Sequence, residues 1–129
     1  MKEKKKVIIY SRGSCNSETR EGVFSIKLEY IGKSMGVTGK CSDTTANRCI
    51  IQGCIEGVKK LKEPCNVEFI TCTKMGISKY TKGKGVNKDI IGELISLLES
   101  NLHEYDFTVV EGKGDWLNKM IKQTNKQCE

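Results

Sequence analysis

The side chains in this sequence best placed to do chemistry are cationic. Arg12 follows a short apolar run, residues 7–10, with only Ser11 between them. A later glycine-containing stretch has no acid before Asp89 and carries five cations: Lys74, Lys79, Lys82, Lys84 and Lys88. Such groups can bind phosphate, and Tyr80 within the stretch could stack on a nucleic-acid base. A solvated lysine loop explains the same pattern, so phosphate binding is a hypothesis at this point.

The length and composition of the chain indicate one domain with a net positive charge. The chain has 129 residues, and 22 Lys and Arg against 16 Asp and Glu give a net charge of +6. We expect a single domain over residues 1–129, with room for a hydrophobic core. Most of the positive charge is lysine, and an excess of this size is compatible with nucleic-acid binding without requiring it. No signal peptide or membrane span is evident, which predicts a cytoplasmic protein without a membrane partner.

Seven cysteines raise the question of disulfides or zinc; they are Cys15, Cys41, Cys49, Cys54, Cys65, Cys72 and Cys128. Their number is odd, no C-x-x-C pair occurs and His103 is the only histidine, so a Cys/His zinc site has little support. Cys49 and Cys54 fall within an apolar helical pattern, where cysteine acts as a small hydrophobe. We therefore expect reduced thiols, no metal and no cofactor, with His103 at the surface.

Hydrophobic periodicity predicts the elements that position these groups. Residues 7–10 are typical of a strand buried on both faces, which Gly13 and Ser14 would end in a loop. Strands are expected over residues 7–10, 24–30, 34–41, 67–72 and 107–110, and helices over residues 45–61, 87–102 and 115–126, the last with Trp116 in the core. The order β-β-β-α-β-α-β-α predicts an α/β fold with helices on the faces of a mixed sheet.

Four short motifs, in the same order along the chain, resemble motifs of the cellular ribonucleases H. They are Ile9-Tyr10-x-x-Gly13-Ser14-Cys15, Thr45-Ala46-Asn47-Arg48, Val86-Asn87-Lys88 and Val109-Val110-Glu111-Gly112-Lys113. The resemblance covers nearly all of the chain. It implies the mixed five-stranded sheet of that family, with the first strand at its centre and the helix over residues 45–61 packed across it.

In that family, four carboxylates at the sheet's centre hold two magnesium ions, which activate water and stabilise the leaving oxygen. The resemblance assigns those four positions here to Arg12, Ile50, Cys72 and Asn118, with Asp115 as the alternative to Asn118. Magnesium needs oxygen ligands, and a permanently protonated guanidinium repels a cation. We therefore expect no metal site and no catalytic residue. Relocated catalysis would need acids from loops or element ends, the candidates being Glu18, Glu21, Asp43, Glu111 and Asp115, and nothing in the sequence brings three of them together.

The resemblance also implies a binding surface. Thr45 and Asn87 match two residues that, in the family, help to form a pocket for a DNA-strand phosphate. Both open predicted helices, and the free N–H groups at helix N-termini suit anions. Asn47 matches an asparagine that touches the minor groove of the hybrid, whereas Ala46 replaces its polar neighbour. The lysine stretch, residues 74–88, lies where the cellular enzymes carry a basic handle for the hybrid.

Three of these residues have a structural explanation as well as a binding one. Thr45 and Asn87 could cap their helices and do nothing more. Arg12 could bind phosphate at the vacated centre, or it could pair internally with Glu111 or Asp115, since an unpaired buried charge is costly.

The leading interpretation is a catalytically inactive ribonuclease H-like domain that binds nucleic acid, either RNA or an RNA–DNA hybrid. Its expected contact residues are Arg12, Thr45, Asn47, Asn87, Lys74, Lys79, Lys82, Lys84 and Lys88. A second interpretation is a protein–protein module, of phage or mobile-element origin, that modulates a nucleic-acid-processing complex. A third is a divergent metal-dependent nuclease with relocated acids. Affinity that falls steeply with salt would indicate phosphate contacts, whereas an apolar protein interface would survive salt.

Overall fold

A computed structural model describes residues 4–42, 44–72, 87–122 and 126–128, the last three by their backbone alone. The strands are β1 (Lys5–Cys15), β2 (Gly22–Tyr30), β3 (Lys33–Cys41), β4 (Cys65–Thr71), β5 (Glu104–Val109) and β6 (Lys126–Cys128). The helices are α1 (Ala46–Val58), α2 (Lys88–Ser100) and α3 (Gly114–Lys122). None of these helices is long and apolar enough to cross a lipid bilayer.

The strands form one mixed sheet in the order β5-β4-β1-β2-β3-β6. β1–β2 and β2–β3 pair antiparallel, whereas β1–β4, β4–β5 and β3–β6 pair parallel. The predicted α/β fold and its sheet of five strands, β1 to β5, are confirmed, with β1 inside the sheet, and the short β6 adds a sixth strand at the β3 edge. The prediction that the last helix reaches residue 126 was wrong, because α3 ends at Lys122 and Lys126 begins β6. No apolar residue follows Ile121 until Cys128, so nothing extends the buried stripe of the helix.

β1 runs farther than its apolar pattern predicted. It continues through Gly13 and Ser14, which pair with Phe24 and Val23 of β2. A Cβ on Gly13 would lie 2.8 Å from the Cβ of Cys49 in α1. The glycine therefore serves a close approach of helix to strand, and it does not form the expected turn. Because the ladder is continuous, Arg12 is held at a defined position beside Ser25.

The main core lies between the sheet and the helices α1 and α2. Its fully buried members include Ile9, Ile26 and Phe69 from the sheet, Ile51 and Ile55 from α1, and Leu94 and Leu98 from α2. The predicted packing of the first helix on the first strand is confirmed: the Ser11 hydroxyl donates to the Ile50 carbonyl at 2.9 Å. A Cβ on Gly57 of α1 would lie 3.2 Å from Cδ1 of Ile9.

The opposite face of the sheet is covered by α3. Tyr10 packs there with Leu117 and Ile121, which are buried and separated by one helical turn. Trp116 was expected in the core but is 42% exposed. Its ring meets Tyr10 edge-on at 6.4 Å between centroids, because Leu117 and Ile121 already occupy the inward stripe of the helix. Lys27 is buried on this face, with its ammonium 3.2 Å from Glu29 and 5.4 Å from the Tyr10 ring centroid.

His103 was expected at the surface, and that prediction was wrong. The side chain is buried, and its Nδ1 accepts a hydrogen bond from the Cys65 backbone N–H at 2.9 Å. The histidine, which directly precedes β5, thus joins the connection between α2 and β5 to the start of β4. Burial lowers the pKa of its imidazole below the usual 6.5.

Candidate functional site

Arg12 lies on β1 with its guanidinium at the meeting point of β4 and α3. Its Nη1 donates a hydrogen bond to the Sγ of Cys72, the residue after β4, at 2.7 Å. Gly114, the first residue of α3, is so close that a Cβ there would lie 3.0 Å from Nη1. Arg12 as a whole residue is partly buried.

The partner identified for Arg12 is a thiol. Within the described part of the chain, no ion pair joins Arg12 to Asp115, and Glu111 is itself engaged in an interaction. Both acids are exposed. A guanidinium has five N–H donors in a planar fork, and the bond to Cys72 uses only Nη1. Among the described residues, no partner is observed for the other N–H groups of Arg12, so they could bond an external acceptor.

The four positions expected for metal-binding acids are only partly brought together. Arg12 and Cys72 are in contact, whereas Ile50 is 3% exposed and packs within the main core. Asn118 is partly buried, one helical turn beyond Gly114, on the stripe of α3 that faces the sheet. Asp115 is exposed, which places position 118 and not 115 on that stripe.

These side chains do not suit magnesium. A guanidinium, an alkyl group, a thiol and an amide supply one neutral oxygen, whereas magnesium prefers several oxygen ligands, carboxylates among them. Within the ranges that the structure describes, no group of three or more acidic, histidine or cysteine side chains could hold a metal ion. Of the acids considered for relocated catalysis, Glu18 and Glu21 are exposed in the loop after β1. Asp43 lies outside the described residues.

The start of α1 is built around Arg48, a residue to which sequence analysis gave no role. Thr45 is the N-cap, and its Oγ1 accepts from the Arg48 backbone N–H at 3.3 Å. The Arg48 guanidinium makes two hydrogen bonds to the Asp89 carboxylate, at 3.0 and 2.8 Å. This contact lowers the pKa of Asp89 to about 2. The capping explanation of Thr45 is thus observed, and Arg48 joins the first turns of α1 and α2.

Asn87 also contacts the Arg48 side chain. It occupies the N-cap position of α2 in a left-handed conformation (φ 65°), but its side chain makes no capping hydrogen bond. Its Oδ1 accepts instead from Nη1 of Arg48 at 3.3 Å. That bond uses the acceptor of the amide, so the two N–H donors of Asn87 are the ones that could serve a phosphate.

The remaining residues predicted to contact nucleic acid lie near Arg48 or outside the described residues. Asn47 is exposed in the first turn of α1, and Lys88 is exposed at the start of α2. A Cβ on Gly13 would lie 3.1 Å from the Ala46 carbonyl oxygen, so the strand that carries Arg12 touches the same turn of α1. Four lysines and one aromatic residue fall outside the described residues: Lys74, Lys79, Lys82, Lys84 and Tyr80.

Sequence comparison finds relatives that share most of the chain. Ribonuclease H from Prosthecochloris aestuarii is 27% identical, covering 98% of this chain and 92% of the relative. Ribonuclease H from Caldicellulosiruptor saccharolyticus is 32% identical over 92% of each chain. Ribonuclease H from Thermoanaerobacter pseudethanolicus is 30% identical, covering 84% and 79% respectively. No protein-family profile matches the sequence.

Proposed function

The chain belongs to the ribonuclease H family, and we propose that it is a member that binds nucleic acid without cleaving it. The ligand we propose is RNA or an RNA–DNA hybrid. The single observation that carries this proposal is the contact between Arg12 and Cys72, at two of the positions that the resemblance assigns to metal-binding acids.

Arg12 would change what the centre of the sheet can do. The hydrolysis expected of the family depends on carboxylates that hold divalent metal, and a fixed cation opposes that metal. The same cation is a good ligand for phosphate, because its planar N–H groups can make two charge-assisted hydrogen bonds to phosphate oxygens. An arginine at position 12 therefore favours a protein that still binds nucleic acid but does not hydrolyse it.

The start of α1 supports a second phosphate contact. Thr45 and Asn47 are exposed there, at the positive end of the helix dipole. Asn87 adds amide donors from α2. Asp89 counts against an anion at this point, but its carboxylate is held by Arg48, and the two charges offset one another.

The direct test is a binding and cleavage assay on the full chain. Fluorescence anisotropy with a labelled RNA–DNA hybrid, single-stranded RNA and duplex DNA would be measured across a salt series, with Mg²⁺, with Mn²⁺ and with EDTA. We expect RNA or hybrid to bind with affinity that falls steeply with salt, and cleavage that does not exceed a buffer blank. Metal-dependent cleavage that co-purifies with the protein would overturn the proposal, and so would an absence of binding at low salt.

Placing acids at the four assigned positions tests whether this fold can bind a divalent metal ion. In a variant carrying Arg12→Asp, Ile50→Glu, Cys72→Asp and Asn118→Asp, we expect Mn²⁺ binding by calorimetry, because the resemblance assigns these four positions to the metal-binding carboxylates of the family. The control carries Arg12→Asn, Ile50→Gln and Cys72→Asn, which match the acids in shape without their charge. Circular dichroism checks that both variants fold, since Ile50 is buried. A folded acid variant that binds no metal would show that the four positions are wrongly assigned.

A further inference from the structure

Three cysteines meet around Gly22, on the face of the sheet that α1 covers. Gly22 is the first residue of β2, and it pairs with Cys15 of β1 on one side and Cys41 of β3 on the other. Directly paired residues project to the same face, so the three positions form one row across three strands. A Cβ on Gly22 would lie 2.4 Å from the Sγ of Cys49, the fourth residue of α1. The Cys49 thiol therefore occupies the space that a side chain at position 22 would fill, between the other two thiols.

This row determines which disulfides can form. Cys15 and Cys41 are separated by two strand spacings, about 9.5 Å, which exceeds the roughly 7 Å between Cα atoms that a disulfide can span. Any bridge must therefore include Cys49. The Cys49 thiol lies over Gly22, the direct pairing partner of Cys41, and donates to the Thr44 hydroxyl at 4.0 Å. Burial raises the pKa of this thiol, and the neighbouring Cys41 adds to that rise. The Cys15 thiol instead donates to the Thr44 carbonyl at 3.1 Å.

We propose that Cys41 and Cys49 are a redox-active pair that closes to a disulfide in the presence of a hydroperoxide. Cys41 is partly exposed and lines a surface cavity of about 620 Å³, which gives a small peroxide a path to its sulfur. Cys49 is fully buried and is therefore shielded from a peroxide that can reach Cys41. Cys41 is thus the thiol that meets peroxide, and Cys49 is the thiol that closes the bond.

Oxidation of Cys41 and closure of the disulfide balance in atoms and electrons. The Cys41 thiolate attacks one peroxide oxygen, the O–O bond breaks, and a sulfenic acid and hydroxide form. The Cys49 thiolate then attacks the Cys41 sulfur, the S–S bond forms and a second hydroxide leaves. The two sulfurs lose two electrons, which reduce hydrogen peroxide, and the two thiol protons convert the hydroxides to water. Burial raises the pKa of Cys49 to about 11, so closure should be slow at neutral pH and faster as the pH rises.

The disulfide would join the end of β3 to the first turn of α1. It would close a loop of seven residues, 42–48, which contains Thr45 and Arg48. Cross-linking restricts the unfolded chain, so the oxidised protein should melt at a temperature higher by about 9 °C. This expectation is independent of any nucleic-acid ligand.

Peptide mapping tests the pair directly. The folded chain is treated with hydrogen peroxide, its free thiols are blocked with N-ethylmaleimide, and it is digested with trypsin without reduction. Trypsin cuts after Lys40 and Arg48, so Cys41 falls in peptide 41–48 and Cys49 in peptide 49–59. We expect these two peptides to be linked and to separate on reduction with dithiothreitol. Fragment spectra assign the bond to Cys49 and not to Cys54, which shares its peptide.

Two single variants make the test specific. Cys41→Ser should abolish both the linked peptide and the rise in melting temperature. Cys15→Ser, the matched control at the other end of the row, should retain both. Cys41 and Cys15 are partly exposed, so both variants should fold, whereas Cys49 is buried and is left unchanged. A bond from Cys49 to Cys15, a bond between two chains, or oxidation of Cys41 to sulfinic acid without a bond would each refute the proposal.

Discussion

Replacing Arg12 with alanine tests whether the centre of the sheet contacts phosphate. Arg12 is partly buried, its Nη1 is bonded to Cys72, and its other N–H groups could bond a phosphate oxygen. Each phosphate contact contributes about −0.9 to the slope of log K against log salt for duplex nucleic acid. Arg12→Ala should therefore weaken binding and flatten that slope by about one unit. Between about 50 and about 200 mM salt, one such contact changes the affinity by about 3.5-fold.

The assay is fluorescence anisotropy with a labelled RNA–DNA hybrid, repeated across the salt series for wild type and variant. Lys119→Ala is the matched control, because it also removes one positive charge but lies exposed on α3. It should leave the slope nearly unchanged. Equal flattening by both variants would show that only the net charge matters.

Urea unfolding provides the second readout. Losing the hydrogen bond to Cys72 should lower the free energy of unfolding by about 1 kcal/mol. If Arg12 is only an internal partner, Arg12→Ala will lower stability while affinity per folded molecule and salt slope stay at wild-type values. That result would refute a phosphate contact at the centre of the sheet.

Two further predictions concern the fold. Gly53→Ala should gain about 1 kcal/mol of helix propensity but lose about 1–3 kcal/mol to overpacking, because the added Cβ would lie 2.9 Å from both Ser11 Oγ and Ile26 Cγ2. We expect a net loss of unfolding free energy in urea, and a gain would contradict the packing. Burial lowers the pKa of His103 in the folded state, so the unfolded state binds the proton first as the pH falls below 6.5. Stability should therefore drop from pH 6.5 down to the folded pKa and then level off; His103→Gln should abolish this drop, and an equal drop in the variant would refute it.

The fold could be predicted from the sequence because its elements carry strong local patterns. The apolar residues of α1 recur at helical spacing, and β2 alternates regularly between apolar and polar side chains. The extension of β1 could not be predicted, because Gly13 and Ser14 look locally like a turn. The reason for that glycine is its contact with Cys49, a residue far along the chain. Tertiary packing therefore overrode the local signal.

Only part of the candidate site could be predicted from the sequence, which gave no role to Arg48 and did not indicate the contacts. The first-strand motif was enough to expect a cation in place of an acid at position 12. Its partner could not be predicted, because Arg12 and Cys72 are 60 positions apart and meet only where β1, β4 and α3 converge. The ion pair between Arg48 and Asp89 spans 41 positions and has the same explanation.

The charge at the centre of the sheet gives a reason why binding could persist without hydrolysis. In the family, the charges of four carboxylates and two magnesium ions cancel. Here Ile50 and Asn118 carry no charge, and Arg12 contributes one positive charge that needs no metal. Attraction for phosphate would then be built into the chain and would not depend on a divalent ion. Affinity for the hybrid should consequently be the same in EDTA as in Mg²⁺ once the ionic strength is matched, whereas a site that recruits metal would lose affinity in EDTA.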